Sequence, residues 1–542
     1  MWSFFYKLHK YEAKIGIAVD VSSGTSQPKS GYVEVTDIQV PGIIEPDTFK
    51  RTQSHLFYIV DDWPEYYIYS YTIEGSESKL CGIFDGSNNT DVTSRMKLHY
   101  HYLFLSEDGK TLYVFATESK KTIILIIDVS DPSNMVQKGY VKLNGLPIIS
   151  RLKDGKLIIG YREKIELSSS SGNEDINDVC PGNIEIYYSN RYYTEAYNRD
   201  DVYLPDQITQ SDYLDFVQFD LETMKVDDKI SLVSCTSNLL TVFDDKILIG
   251  TQIDEAKYTL IGTYPHYVYD SGTQFTALSY GDAGFEVIGT TYFDGVVPNN
   301  YGVDIDGDIL RVVLTSKKAF RNQITREITK NEVSCEIICY DLKKDKMIAS
   351  VKNFAPADED VKSARFDEDI LYVCTAKEVN EVFTDPVYYF DLSDYQNITS
   401  IDTGEIEGFS RWLKPFGDGL LLGIGYADNA RTLKVEIYSE EGQSVDPICS
   451  YKKERILFSS SYLTYMLDLE NGYIGIVFKD SNREIDYSDG YVLLHFDGDN
   501  INVIVEEYFN RELGKKEEIR STVIDGYLYI MFNTDFRVIK LP

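Results

Sequence analysis

The sequence predicts an all-β fold, a single β-propeller of four-stranded antiparallel blades. A short acidic turn followed at once by an apolar, β-branched run recurs eight times in 542 residues. Most copies lie about 45 to 60 residues apart, the length of one four-stranded blade. Because Asp-Gly and Asp-Asp tolerate positive φ, each copy is expected to be a tight hairpin turn. The copies are 107–112, 153–158, 243–248, 305–310, 366–371, 416–421, 469–474 and 524–529.

Composition agrees with a β-rich chain. Aromatic residues make up 13% of the sequence and 43 of them are tyrosines, and strands favour aromatic and β-branched side chains. No apolar stretch approaches the roughly 18 residues of a membrane helix, so we expect no transmembrane segment. The net charge of −34 argues against nucleic acid, which requires a basic surface. We attribute the negative charge to a need for solubility; the alternative is that it attracts a cationic partner.

The ring is expected to occupy residues 32–542. Two strands at 527–532 and 536–541 end the chain, and a strand over 33–40 is expected to pair with them and close the ring. A hairpin at 55–60 and 66–71 is a weaker, ninth repeat. If it shares the last blade the ring has eight blades, and if it has its own blade the ring has nine. We favour eight, which is within the usual range.

Two segments depart from the repeat. Residues 1–31 predict a short amphipathic helix followed by a flexible linker rich in Ser and Gly. Blade three carries one large insertion, residues 167–211, which begins with serines and becomes rich in tyrosine. Loops this long inside a compact repeat are usually functional or disordered. We expect residues 183–204 to be dispensable for folding and needed for binding.

Several segments resemble a bacterial and archaeal family of secreted C-terminal β-propeller domains, distantly related to WD40 repeats. The likeness covers roughly residue 32 to the end and is carried by 36–47, 363–366, 385–394, 408–415 and 422–426. It implies a propeller outside the cell, behind a leader or anchor, with no known reaction. No such leader is present here, which suggests a trimmed form.

The chain departs from the pattern of this family at three positions. Pro41 and Ile44 stand where acidic residues are expected, and Lys414 stands where a histidine is usual. Any site of the family that uses those groups is therefore in doubt in this chain.

Motifs for metals and catalysis have structural explanations. Three aspartates in 304–308 suggest a calcium loop, but this segment is also a repeat turn and lacks the Glu of an EF-hand. His99 and His101 would share a strand face and could hold a metal, although a structural pair is favoured. The seven cysteines form no zinc pattern. No serine-hydrolase elbow is present. We therefore expect no cofactor and no metal.

Aromatic side chains in loops are the best indication of a ligand. Flat rings can stack on sugars or anchor a protein partner at low entropic cost; the alternative is that many pack between blades. We name as ligand-binding candidates Tyr187, Tyr188, Tyr192, Tyr193, Tyr197, Tyr203, Trp63, Trp412 and His266, with Tyr264, Tyr267 and Tyr269 beside the last.

The sequence thus predicts a monomeric, extracellular or cell-surface propeller that binds a protein or an envelope glycan without catalysis. The alternative is a carbohydrate-active or lactonase-like enzyme that uses carboxylates near the central channel, whose pKa values would be displaced. A third possibility is a structural or adaptor role without any small ligand.

Overall fold

The fold was analysed in a computed structural model, which describes 18 stretches of the chain. The predicted helix and linker over residues 1–31 lie outside them. The described residues are 32–33, 43–62, 65–86, 98–165, 180–204, 212–233, 239–356, 359–379, 382–385, 387–402, 406–415, 419–427, 432–439, 446–454, 456–458, 465–480, 488–510 and 519–542.

The chain divides into two compact units, of which the first comprises residues 1–236, 280–285 and 515–541. Four sheets belong to it, with strand orders β1-β2-β3-β4-β5, β13-β12-β9-β8-β7-β6, β10-β11-β15-β16-β14 and β40-β41-β42. The strands are β1 (Tyr32–Val33), β2 (Phe49–Thr52), β3 (His55–Asp62), β4 (Glu65–Thr72), β5 (Leu80–Asp85), β6 (His99–Leu105), β7 (Thr111–Glu118), β8 (Lys121–Asp128), β9 (Val136–Leu143), β10 (Leu146–Lys153), β11 (Lys156–Lys164), β12 (Ile184–Tyr188), β13 (Arg191–Glu195), β14 (Val202–Tyr203), β15 (Asp212–Asp220), β16 (Lys225–Val233), β40 (Arg520–Ile524), β41 (Tyr527–Phe532) and β42 (Asp535–Lys540).

The second unit comprises residues 237–279, 286–514 and 542. Its largest sheet consists of two four-stranded groups, β17-β18-β19-β20 and β21-β22-β23-β24, which are joined through β19 and β22. Three more sheets are formed by β25–β30, by β31–β34 and by β35–β39. The strands are β17 (Leu239–Val242), β18 (Lys246–Ile261), β19 (Tyr264–Ser279), β20 (Glu286–Asp294), β21 (Val303–Asp306), β22 (Ile309–Asn322), β23 (Ile328–Asp341), β24 (Lys346–Lys352), β25 (Asp360–Asp367), β26 (Ile370–Val379), β27 (Val382–Asp385), β28 (Val387–Asp391), β29 (Thr399–Asp402), β30 (Ile406–Glu407), β31 (Phe409–Pro415), β32 (Leu420–Ala427), β33 (Thr432–Ser439), β34 (Asp446–Lys453), β35 (Ile456–Phe458), β36 (Tyr465–Asp468), β37 (Tyr473–Asp480), β38 (Ser488–Phe496) and β39 (Ile501–Asn510).

The acidic turns are the hairpins that the sequence predicts. Asp154 and Gly155 have φ of 47° and 73°, and Asp525 and Gly526 have φ of 49° and 75°, the left-handed values of a type I′ turn. Seven of the eight segments join two antiparallel strands. The eighth joins β31 to β32, which pair antiparallel, but its residues 416–418 lie outside the described residues.

Antiparallel sheets of about four strands recur along the chain, as predicted. In the sheet of β25, β26, β28 and β29 each strand pairs antiparallel with the next along the chain. Central strands such as β8 and β32 are buried at almost every position because both of their faces are covered. In the described part of the chain two short 3-10 turns, Arg199–Asp201 and Asn300–Gly302, interrupt the strands.

Within each unit, neighbouring sheets pack through shared apolar clusters. In the first unit Phe57 and Ile68 pack with Leu103 and Leu125, so the first sheet covers the second. In the second unit Val313 packs with Val373 and Phe390 of the following sheet. Such sheet-on-sheet burial supplies most of the stability of a β-protein.

The first and last sheets of the chain pack face to face inside the first unit. Tyr71 stacks on Phe536 with ring centroids 4.1 Å apart, and Leu56 and Tyr58 share a cluster with Met531. The predicted closing strand is described only at Tyr32–Val33, which pairs with β2 and not with the last sheet; residues 34–42 lie outside the described residues. Ring closure by strand pairing therefore stays a prediction.

The hairpin of β3 and β4 belongs to a sheet of its own with β2 and β5, separate from β40–β42. By the criterion of the sequence analysis this arrangement favours nine blades over eight, and the number of blades likewise stays a prediction. No helix in the described ranges has the length and hydropathy to cross a membrane.

Candidate functional site

A sheet extension projects from the second unit. The partner β17 covers β18 only at residues 247–250, and β20 covers β19 only at 272–279. Beyond these residues β18 and β19 continue as a long hairpin, β22 and β23 do the same, and the two hairpins pair through 266–269 of β19. We call this four-stranded extension, residues 252–271 and 316–335, the arm.

One face of the arm carries a row of exposed tyrosines. Tyr258 lies opposite Tyr267, and Tyr269 lies two residues further along the same strand, so the three rings share one face. The rings of Tyr258 and Tyr267 are 6.2 Å apart at 80°, and those of Tyr267 and Tyr269 are 6.3 Å apart at 50°. Their exposed fractions are 59%, 40% and 41%, and Leu260 on this face is 60% exposed. We call these four residues the tyrosine face.

His266 lies on the opposite face of the arm. It is 4% exposed and lies between Thr259 and Asn322 in the ladder, while its Nδ1 is 3.0 Å from the carbonyl oxygen of Tyr264. His266 is one of the residues that were expected to contact a ligand. The structure instead buries it, because alternation along β19 turns it away from the two exposed tyrosines that follow it.

The second hairpin of the arm is basic in a strongly acidic protein. Residues 316–335 contain five basic and two acidic side chains, a net charge of +3 (5 − 2), whereas the whole chain has −34. Arg321 lies directly opposite Tyr267 and so contributes its guanidinium to the tyrosine face. Arginine beside tyrosine is the composition typical of protein-binding hot spots.

The tyrosine-rich insertion of the first unit is built into two sheets. Its hairpin β12–β13 extends the second sheet beyond β9, and β14 pairs parallel with β16 of the third sheet. Tyr197 is 5% exposed, and its hydroxyl is 2.9 Å from that of Tyr161. Lys229 lies 3.1 Å from Glu195 of the insertion. The insertion is thus a folded part of the unit, which argues against the expectation that 183–204 are dispensable for folding.

The remaining tyrosines of the insertion form no continuous exposed row. Tyr192 (57% exposed) lies opposite Tyr187, which stacks on Tyr140 at 5.5 Å, but Tyr193 (45% exposed) lies opposite buried Ile186 on the other face. Tyr188 and Tyr203 are half-buried.

The two tryptophan candidates are not part of an exposed surface that the structure describes. Trp412 is 6% exposed and packs at 5.5 Å from Tyr465 in the core of the second unit, so it is a core residue. Trp63 lies outside the described residues.

A buried acid lies beneath the insertion. Asp215 on β15 is fully buried, and the hydroxyl of Ser231 is close enough to interact with it. Burial raises the pKa of this carboxyl well above 3.8, and the nearby Glu163 raises it further, while Ser231 favours the charged form. Because it has no access to solvent, Asp215 cannot reach a substrate in this state.

A polar cavity of about 170 Å³ lies at the base of the arm. The positive charges of its two lysines are already neutralised by nearby acids, since Lys318 lies 2.8 Å from Asp270 and Lys352 lies 3.4 Å from Glu336. Burial raises the pKa of the Cys335 thiol to about 11, so this thiol is protonated at neutral pH and is a poor nucleophile. The lining residues are Asp294, Leu314, Ser316, Lys318, Ser334, Cys335, Glu336, Lys352 and Asn353.

The residues of the two candidate metal sites already contact neighbouring side chains. Asp304 accepts a hydrogen bond from Arg311 at 2.7 Å, Asp306 accepts one from Tyr395 at 2.9 Å, and Asp308 lies 2.9 Å from Lys343, so the turn is occupied by its own neighbours. The rings of His99 and His101 are 4.5 Å apart. Among the residues that the structure describes, no group of three or more His, Cys, Asp or Glu side chains is placed to hold a metal ion.

Half of the tyrosine face could be predicted from the sequence. Tyr267 and Tyr269 were named, but Tyr258 and Leu260 were missed because they lie in the preceding strand, before the turn at Gly262. The spacing of the acidic turns does indicate the long hairpins of the arm. The turns at 243–248, 305–310 and 366–371 are separated by longer intervals than the other turns that have no insertion between them. The two repeats between these three turns must therefore contain longer hairpins.

Residues 34–443 match a protein family described as a beta propeller domain. An uncharacterised protein of Methanocaldococcus jannaschii is 24% identical over 246 residues, which is 45% of this chain and 35% of that protein. Another, from Archaeoglobus fulgidus, is 23% identical over 194 residues, or 35% of this chain and 27% of that protein. The chain therefore spans about a third, or less, of the length of each of these curated relatives.

Among solved structures, the acylaminoacyl peptidase of Pyrococcus horikoshii aligns with a TM-score of 0.30 and 13% identity. The alignment covers 83% of this chain and 57% of the peptidase. A score this low supports no inference about activity.

Proposed function

This chain belongs to the beta propeller domain family, and we propose that it is a non-catalytic binding module that acts outside the cell and binds a protein partner through the tyrosine face of the arm. The observation that carries the proposal is the row Tyr258, Tyr267 and Tyr269, each at least 40% exposed. Large exposed apolar patches on soluble proteins mark interaction sites. The location outside the cell rests on the resemblance of the sequence to secreted propellers.

A protein partner fits this face better than a glycan. A sugar polymer stacks best on rings that lie flat and parallel to one another, whereas the rings of Tyr258, Tyr267 and Tyr269 are tilted by 80° and 50° between neighbours. Tilted tyrosines flanked by Leu260 and Arg321 offer an uneven apolar surface and a cation, which suit the mixed side chains of a protein surface.

The catalytic alternative has weaker support. Acids deep in the first unit are paired with buried arginines, since Glu45 lies 3.3 Å from Arg151 and Asp47 contacts Arg520. Asp215 has a raised pKa but no access to solvent. A catalytic acid needs both a displaced pKa and access to a substrate.

Binding of the labelled full chain to cell envelopes of the source organism tests the proposal. The double variant Tyr258→Ala/Tyr267→Ala should weaken binding at least about tenfold, equal to about 1.4 kcal/mol. The matched variant Tyr192→Ala/Tyr193→Ala, which removes equally exposed rings from the insertion, should bind like the native chain. Protease treatment of the envelopes should abolish binding, and periodate oxidation of their glycans should not.

Three outcomes would overturn the proposal. Unchanged binding by the arm variant would exclude the tyrosine face. Loss of binding only in the Tyr192→Ala/Tyr193→Ala variant would assign the site to the insertion. Sensitivity to periodate with resistance to protease would identify the partner as a glycan.

A further inference from the structure

The outer end of the arm consists of two turns that lie side by side. The backbone N–H of Gln323, in the turn of the second hairpin, donates to the carbonyl oxygen of Pro265, beside the turn of the first, at 3.0 Å. We call residues 257–266 and 321–330, which contain the two turns, the tip.

The five most exposed large apolar side chains that the structure describes all lie in the tip. They are Ile324 (69% exposed), Leu260 (60%), Tyr258 and Ile328 (59% each) and Tyr264 (58%). Large exposed apolar patches on soluble proteins mark surfaces to which something else binds.

The turn that exposes Ile324 is ordered by the buried Asn322. The side-chain oxygen of Asn322 accepts hydrogen bonds from the backbone N–H groups of Ile324 at 2.8 Å and Thr325 at 3.2 Å. Its backbone N–H donates to the carbonyl oxygen of Glu327 at 2.9 Å. These bonds fix the backbone of the turn, so Ile324 is held outward.

The apolar side chains of the tip occupy both faces of the arm. Leu260 and Ile328 lie on the tyrosine face, Ile328 because it pairs with Arg321. Ile261, which is 43% exposed, lies opposite Tyr264 one position further along, and strand alternation places this pair on the reverse face. A protein that packs on one face of a sheet leaves the other face in water. A lipid surface can surround both faces and cover all of these side chains.

Cations accompany the apolar side chains of the tip. The tip contains four basic residues and one acidic residue, a net charge of +3 (4 − 1), whereas the whole chain has −34. Arg321 and Arg326 are both exposed. Lysine and arginine side chains are attracted to anionic lipid headgroups when they lie near a membrane surface.

We propose that the tip inserts its apolar side chains into the surface of a membrane with anionic lipids, and that its arginines and lysines contact the lipid phosphates. The negative charge of the rest of the chain permits this contact. At roughly 3.3 Å per residue, residues 252–261 extend about 30 Å, several times the Debye length of about 8 Å at physiological salt. The inference goes beyond the proposed function, because it assigns a lipid surface to the arm and requires no protein partner.

Co-sedimentation of the full chain with protein-free vesicles tests the headgroup charge. Vesicles of phosphatidylcholine with about 30% phosphatidylglycerol should bind the native chain at least about tenfold more tightly than vesicles of pure phosphatidylcholine. The variant Arg321→Gln/Arg326→Gln should lose at least about tenfold in affinity for the anionic vesicles.

The same assay tests the apolar contact. The variant Ile324→Ser/Ile328→Ser should weaken binding to the anionic vesicles at least about tenfold, because two large side chains no longer leave water. The matched variant Ile83→Ser/Leu204→Ser, which changes side chains that are 51% and 54% exposed outside the arm, should bind like the native chain.

Fluorescence quenching tests the depth of the tip. Ile324→Trp places an indole at the end of the arm, and anionic vesicles with bromine on their acyl chains should quench its added emission. Tyr192→Trp replaces a side chain that is 57% exposed outside the arm, and its added emission should be unaffected.

Four outcomes would overturn the proposal. They are equal binding to neutral and anionic vesicles, unchanged binding by Ile324→Ser/Ile328→Ser, unquenched emission from Ile324→Trp, and absence of binding to both kinds of vesicle, which would leave a protein as the occupant of the tip. The proposed function fails separately, because its assay measures protease-sensitive binding and these vesicles contain no protein.

Discussion

Tyr161 and Tyr197 share a hydrogen bond of 2.9 Å between their hydroxyl oxygens in the interior of the first unit. Tyr161 comes from the central strand β11 and Tyr197 from the insertion, and burial raises the pKa of both hydroxyls well above 10.0. The Lys229 ammonium lies 5.8 Å from the centre of the Tyr197 ring and adds a cation–π contact. This contact fixes the insertion to the sheet below it.

Loss of this tyrosine should destabilise the first unit. Tyr197→Ala removes a buried ring and should lower the free energy of unfolding by about 3–5 kcal/mol. Tyr197→Phe removes only the hydrogen bond and should cost about 1 kcal/mol. Tyr192→Ala, on the exposed hairpin, should change stability by less than about 0.5 kcal/mol. Urea unfolding measures all three, and an equal effect of Tyr192→Ala and Tyr197→Ala would contradict the placement of Tyr197 in the core.

Asp215 should make the first unit less stable as the pH rises. The folded chain holds the pKa of this carboxyl above 3.8, so folding favours its protonated form. Its contribution to stability is fully present below the pKa of the unfolded chain and is lost as the pH rises through the raised pKa of the folded chain. Asp215→Asn stays neutral, and at pH 7 it should be more stable than the native chain by about 1 kcal/mol or more.

The control for Asp215 is an exposed acid of the same unit. Asp200→Asn should shift the free energy of unfolding by the same small amount at pH 4 and pH 7, because Asp200 is exposed to solvent. Denaturant unfolding of the three proteins at both pH values supplies the comparison. A native chain whose advantage over Asp215→Asn grows toward pH 7 would refute a buried, neutral carboxyl.

The stability of the segment that follows residue 42 should depend on its buried ion pairs. Its backbone bridges Ile44 to Leu152 and Asp47 to Leu103, and the fully buried Asp47 contacts Arg520. Asp47→Ala leaves a buried guanidinium without this partner and should cost about 3–5 kcal/mol. Asp47→Leu/Arg520→Met should cost less than Asp47→Ala, since it removes both charges. A double-variant cost equal to the summed costs of Asp47→Leu and Arg520→Met, each measured alone, would contradict a coupled pair.

Calcium should not stabilise the chain through the turn 304–308. Its three aspartates already contact Arg311, Tyr395 and Lys343, and an ion that binds only the folded chain would raise the melting temperature. We therefore expect the same melting curve with millimolar calcium and with a chelator. A calcium-dependent rise that disappears in Asp306→Asn would show that the turn is a metal site.

Local sequence signals predicted the strands well, because each acidic turn fixes a hairpin through its own positive-φ residues, as at Asp154 and Gly155. They predicted the exposed site less well. Exposure of an aromatic ring depends on which partner covers each face of its strand: Trp412 and Tyr197 are covered by neighbouring sheets, while Tyr267 is not. His266 and Tyr267 are adjacent in sequence, yet strand alternation places them on opposite faces.

Hydroxyl-radical footprinting of the full chain with and without cell envelopes tests the central claim most directly, because it reports the solvent exposure of individual tyrosines. We predict that oxidation of Tyr258, Tyr267 and Tyr269 falls severalfold on binding, while oxidation of Tyr192 and Tyr193 is unchanged. Protection of Tyr192 and Tyr193 with unchanged oxidation on the arm would contradict the account.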